Sequence, residues 1–268
     1  MAEVKQGGLS GVDTVNGLVR AIDVARAATL KHATNGIAYA CLGETQVKEA
    51  DLERMIQAVP ATIASALGSK AYYFVPLALA EGRGHRGGTE ETMVAPVYTA
   101  ELAEEAICHR NVTLPVQAEL PAHDGVFIST RLLNDQFALC FEYFINVAHA
   151  FAEQAGVPAE FGDMVWAQAV AEVRGETSQD AFEAREAALK DRSRPDEKAR
   201  GEYLEYAFSD ALAIYQLSLA VDFDYSELRE REYALLAPVA LAERLRLVAK
   251  LFPPNPGYEF AIRYRKRA

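Results

Sequence analysis

A helix-rich α+β fold is what this sequence predicts, and three observations predict it. Short apolar runs bounded by turn residues crowd the first half, apolar residues recur at helical spacing after residue 130, and residues 257–266 alternate again. The expected organisation is an α+β region over 1–130 and a helical region with a final strand over 131–268. If that strand rejoins the small mixed or antiparallel sheet of the first half, the chain is one domain.

In chain order, Asp13 stands as N-cap before Val15, Leu18, Val19, Ile22 and Ala25, a helical set. The run 36–42 reads as a buried strand, and Thr45 opens an amphipathic helix to about Ala66, closed by Gly68. "KAYYFVPLALA" returns as a strand, in which Pro76 signals an edge or a bulge. A Gly-rich loop follows over 81–91, then strand character in "TMVAPVYT" and a short helix, "AELAEEAICHR". "NVTLPVQAEL" and "GVFIST" are strand-like, and Asp124-Gly125 between them has the chemistry of a turn.

The helical half opens with one long helix over 131–154 that stops at Gly156 and Pro158. "FGDMVWAQAVAEV" makes a second, stopped by Gly175. Ser178 caps a third, Pro195 begins another that runs to about Ala220, and Pro238 kinks the last or starts a new segment. The stretch from Glu176 to Arg200 mixes both charge signs and reads as a solvated surface. In "GYEFAIRYRK", Tyr258, Phe260, Ile262 and Tyr264 share one face of the expected final strand.

Composition bounds the function. A net charge of -11 argues against nucleic acid as the main partner, because phosphate binding needs clustered Lys and Arg. The basic run Arg263, Arg265, Lys266 and Arg267 is a short tail. No apolar run approaches the ~20 residues that span a bilayer, so no membrane partner is expected. Three widely spaced cysteines, Cys41, Cys108 and Cys140, fit reduced thiols in a cytoplasmic protein.

Three stretches carry the residue types of chemistry. On the helix over 131–154, Glu142, Asn146, His149 and Glu153 fall within roughly 60° of one another on an otherwise apolar rod. Arg131 and Asp135 extend the same sector backwards. Such a file either faces water and neighbouring polar groups or lines a cavity, where Glu142 and His149 would bind a metal or move protons. The di-iron Glu-x-x-His signature is absent, since Asn146 stands where its Glu would be. In "EEAICHRN", Glu105 and His109 lie one helical turn apart, with Cys108 beside them as a nucleophile or thiol ligand. In "GRGHRGG", Arg83, His85 and Arg86 would grip an anion if the loop closes. A further polar file, Glu202, Tyr206, Ser209 and Gln216 with Glu205 and Asp210 at its margins, follows Pro195.

Two functional classes remain open. The first is an enzyme or small-molecule binder with a Glu/His site at the junction of sheet and long helix. Its acid-base or metal-binding residues would be Glu142, His149, Glu105 and His109, with Arg83 and Arg86 as substrate contacts and no cofactor assigned. The second is a non-catalytic homo-oligomeric scaffold, for which the aromatic stretches "AYYF", "EYFINVAHAF" and "YEFAIRY" would form interfaces.

Overall fold

The computed structural model describes residues 17–45, 47–80, 92–114, 122–132, 136–191, 195–228 and 233–262. The fold is mixed α+β with a helical C-terminal half, as expected. The chain divides into two compact units. The first holds 1–57 and 67–142; the second holds 58–66 and 143–268.

The first unit contains two sheets rather than one. Strands β1 (Val19–Arg20), β6 (Thr92–Ala95), β5 (Leu77–Ala80) and β7 (Ala106–Ile107) form an antiparallel sheet in the order β1-β6-β5-β7. The second sheet runs β2 (Lys31–His32), β3 (Ala38–Cys41), β4 (Lys70–Val75), β9 (His123–Ser129), β8 (His109–Leu114). Its central β3, β4 and β9 are parallel, and both edge strands are antiparallel to their neighbours. A parallel centre covered on both faces needs apolar residues at successive positions instead of alternate ones. "AYYFV" and "VFI" meet that need: Tyr72, Tyr73, Phe74, Val75, Phe127 and Ile128 are all fully buried. Ala40, Tyr73 and Phe127 share one buried apolar cluster with Val24 and Ala25 of α1 (Ala21–Ala27), and the Tyr73 and Phe127 rings stack at 4.6 Å.

Pro76 marks the step from β4 to β5, where the strand leaves one sheet for the other. Backbone groups at such a step lose ladder partners and must find others. The segment after β9 supplies them. The Thr130 hydroxyl donates to the Val75 carbonyl (3.0 Å), and the Arg131 amide donates to that of Pro76 (3.2 Å). The Ser129 hydroxyl accepts from the Ala78 amide at 2.7 Å and donates to the Ile107 carbonyl.

Several sequence expectations change here. The first helix shrinks to α1, because Val19 and Arg20 pair with β6; Asp13 and Val15 lie outside the described residues. The helix expected from Thr45 to Ala66 is two, α2 (Glu49–Gln57) and α3 (Ala61–Ala66), separated at Pro60. The Asn255 side chain of the second unit holds this break, accepting from the Ala61 amide (2.9 Å) and donating to the Val59 carbonyl (2.7 Å). Asp124-Gly125 is no turn but part of β9. A Cβ on Gly125 would stand 2.8 Å from Leu114 Cδ1 and 3.0 Å from Phe127, so packing explains the glycine.

The second unit is built from α6 (Ala159–Val170), α7 (Gln179–Ala188), α8 (Glu197–Ala220) and α9 (Pro238–Leu251). Ser178 caps α7 as read, its side chain accepting from Ala181 N; α8 begins at Glu197 rather than at Pro195, because the Asp196 carboxylate caps it by accepting from Lys198 N and Ala199 N. Pro238 starts α9 rather than kinking a longer helix. The long helix α5 is Gln136–Ala155; the division between units falls within it, after Glu142. Arg131 precedes it in a short 3-10 turn, Thr130–Leu132, and Asp135 lies outside the described residues. Residues 258–262 form no strand. Instead Phe260 places its ring edge-on to Tyr215 of α8, at 5.2 Å, so an aromatic contact with a helix has replaced the expected pairing.

Gly175, which follows α6, takes φ +83°, and a Cβ there would lie 2.1 Å from the Leu235 carbonyl oxygen. Gly36 also has positive φ, +92°, but open space around it. Gly175→Ala is therefore expected to cost about 3 kcal/mol or more, and Gly36→Ala about 1–2 kcal/mol, the left-handed penalty alone. Urea melts of both variants check this; equal losses would refute the packing account.

Candidate functional site

The residues singled out from the sequence fall on several different elements. Glu105 is exposed in the turn after α4 (Ala100–Ala103), which ends before it. His109 opens β8, pairing in register with Ile128. The expected helical face shared by Glu105 and His109 therefore does not form, because residues 106–114 are drawn into the two sheets instead. Arg83, His85 and Arg86 lie outside the described residues.

The polar file of α5 is neither open to water nor sealed. Asn146 is buried, Glu142 and His149 are half-buried, and Glu153 is exposed. Glu142 belongs to the first unit and His149, seven residues further along α5, to the second. Within the first unit Glu142 acts on Cys108. Burial, and then the Glu142 carboxylate, push the Cys108 thiol up from its ordinary range. A thiol held neutral in this way is a poor nucleophile, which weighs against a cysteine-hydrolase role. Among the described residues, no group of three or more His, Cys, Asp or Glu stands together so as to hold a metal ion.

Among the described residues, a buried network of ionisable groups lies in the second unit. Glu176 and Arg244 are both 0% exposed. Glu176 Oε2 accepts from Arg244 Nη1 at 3.1 Å, and Oε1 accepts from Arg185 Nη1 at 3.1 Å and from the Tyr203 hydroxyl at 2.8 Å. Arg244 also donates from Nε to Gln168 Oε1 (2.8 Å) and from Nη2 to the Tyr203 oxygen (3.2 Å). The Gln168 amide nitrogen in turn reaches the Ala240 carbonyl (3.3 Å) and Glu243 (3.1 Å). Burial alone would weaken the Arg244 charge; Glu176 and Tyr203 outweigh it, so its pKa is raised. Residues from α7, α8 and α9 thus converge on the Glu176 carboxylate, and Gln168 of α6 holds Arg244 from the other side.

The expectation of a solvated surface from Glu176 to Arg200 is corrected at Glu176 and Arg185, which are interior. The signal was present but unused. Arg185 sits among Ala181, Ala184 and Ala188, and Arg244 among Ala240, Leu241, Leu245 and Val248, so both arginines lie on apolar stripes. A cation on the buried stripe demands a buried anion. No spacing rule in the sequence identifies Glu176 as that anion.

Asp210 borders this network. Its carboxylate accepts from the Thr177 hydroxyl at 2.8 Å. Burial pushes Asp210 up to about 6; hydrogen bonds from Ser178 and Thr177 and the charge of Arg244 oppose the rise, and Glu176 adds to it. A carboxyl whose folded pKa lies above its unfolded value binds protons more tightly when folded, so it favours folding at low pH. Its contribution is fully present below about 3.8 and is lost as pH rises through about 6.

Two predictions follow from this arrangement. Glu176→Gln leaves two buried guanidinium groups without their anion and should cost about 3–5 kcal/mol in urea unfolding. A cost below about 1 kcal/mol would mean that the network is solvated. Asp210→Asn should gain stability relative to the native chain as pH rises from 4 to 7; melts that stay parallel across that range would contradict the raised pKa.

No protein-family model matches this chain, and neither a curated protein nor a solved structure matches it.

Proposed function

We propose that the chain binds a small polar molecule, as a binder or as an enzyme, at a site in its first unit. Glu142 of α5 would serve there as acid-base or hydrogen-bonding group, beside the step from β7 to β8 where Cys108 precedes His109. The observation that carries this reading is the electrostatic reach of the half-buried Glu142 to Cys108. It relates a carboxylate of the long helix to the thiol at the step between β7 and β8. A carboxylate kept partly dry favours ligands that present hydroxyl or amine hydrogens.

The scaffold reading is less well supported. Tyr72, Tyr73 and Phe74 of "AYYF", and Tyr143 and Phe144, are buried within the chain itself. Those rings are therefore occupied in cores rather than offered to a partner.

The coupling is tested by alkylation with iodoacetamide, mapped by mass spectrometry. Glu142→Gln should speed modification of Cys108 about two- to fivefold at pH 8, because a carboxylate that disfavours the thiolate has been removed. Buried Cys140 serves as the slow reference. An unchanged Cys108 rate would remove the basis of the site. Function is then tested by thermal-shift screening with polyols, amines and amino sugars. A compound that raises Tm in the native chain but not in Glu142→Gln or His109→Ala supports the reading. Equal shifts in all three would place binding elsewhere.

A further inference from the structure

Helix α8 carries a polar face that runs from solvent into the core. Glu202 and Glu205 are exposed, whereas Ser209 and Gln216, further along the same face, are buried. Ser209 and Gln216 are seven residues apart, which on a helix means roughly 20° in azimuth and about 10 Å in rise. The Ser209 hydroxyl donates to the Glu205 carbonyl of its own helix at 2.9 Å, leaving its lone pairs to accept. Gln216 is 0% exposed, and neither its Nε2 nor its Oε1 has a hydrogen-bond partner among the described residues.

The second buried glutamine of this unit behaves differently. Gln168 uses both ends of its amide, accepting from Arg244 and donating to Ala240 and Glu243. A carboxamide offers two donors and a carbonyl acceptor, and burying both ends unpaired costs several kcal/mol. Folded proteins rarely tolerate that.

We propose that Gln216 is the anchor of an internal hydration site, holding at least one ordered water that is relayed along the α8 face towards Ser209. The guest must both donate and accept, since both ends of the amide need serving. It must be neutral, because between Asp210 and Ala220 the helix carries no charge to balance an ion. It must also be small. Around Gln216 the helix offers buried Leu212, Ala213, Leu217 and Ala220, whose side chains give no polar hold to a larger molecule. Water meets all three conditions, and a span of about 10 Å to Ser209 needs more than one molecule to bridge. This site lies in the second unit and stands apart from the Glu142 reading.

The test is a high-resolution crystal structure of the full chain, together with Gln216→Met. Isolated density peaks about 2.7–3.2 Å from Nε2 or Oε1 are expected. A direct protein partner for the amide, a dry amide, or elongated density from a retained organic molecule would each overturn the proposal. Methionine matches glutamine in length and removes both polar ends. With a water in place, the substitution should leave the urea midpoint unchanged or lower it. A midpoint that rises would show that the amide was an unserved burden, and that result also overturns the proposal.

Discussion

A carboxylate with no access to water must be neutralised where it stands, and Glu176 meets that demand with two guanidinium groups and a phenol. The desolvation cost is several kcal/mol per ion even after relaxation, so the pairing is not itself a large source of net stability. Its effect is on specificity. Any arrangement of α7, α8 and α9 that pulls Arg185, Tyr203 or Arg244 away leaves a buried charge uncompensated. The helices are thereby confined to one mutual register, although their Ala- and Leu-rich faces would tolerate several.

The main chain of the same residue fixes the backbone around it. Glu176 exchanges hydrogen bonds with the segment before α9, from its amide to the Ala234 carbonyl and from the Leu236 amide to its own carbonyl, each at 2.9 Å. Gly175 allows the close approach, and Arg185 closes the turn by donating to the Gly175 carbonyl at 3.1 Å. The Tyr233 and Tyr225 hydroxyls then bind the carbonyls of Thr177 and Leu236. Asp210 adds a titrating group at the margin, so this part of the unit responds to pH while the central ions do not meet solvent.

The first unit solves a different problem. Its strand changes sheet at Pro76, and small hydroxyl residues rather than ions satisfy the backbone left over. The segment that does so, Ser129 to Arg131, leads towards α5, and the Ser129 amide donates to the Cys108 carbonyl at 2.8 Å. The geometry that joins the two sheets thus also fixes Cys108, the residue on which Glu142 acts. The proposed site is tied to the hydrogen bonds that join the two sheets, a useful property for a group meant to hold a proton or a ligand at one place.

Local chemistry was legible in the sequence where it acts over a few residues. Ser178 as a cap, a break at Pro238 and strand character in "AYYFV" could be read directly, because caps, prolines and apolar runs act on their neighbours. The α+β class followed from the same signals. What local pattern left undecided were the choices made by distant partners. Residues 106–110 have helix-compatible spacing but are taken by two sheets, and "YEFAI" alternates like a strand but finds an aromatic partner on α8. Glu176 looks like one more surface acid until Arg244, 68 residues away, comes beside it. Sequence by itself determined which segments could be helix or strand and which positions wanted burial. Only the tertiary structure decided which polar groups were buried, because that depends on a counter-charge brought from elsewhere in the chain.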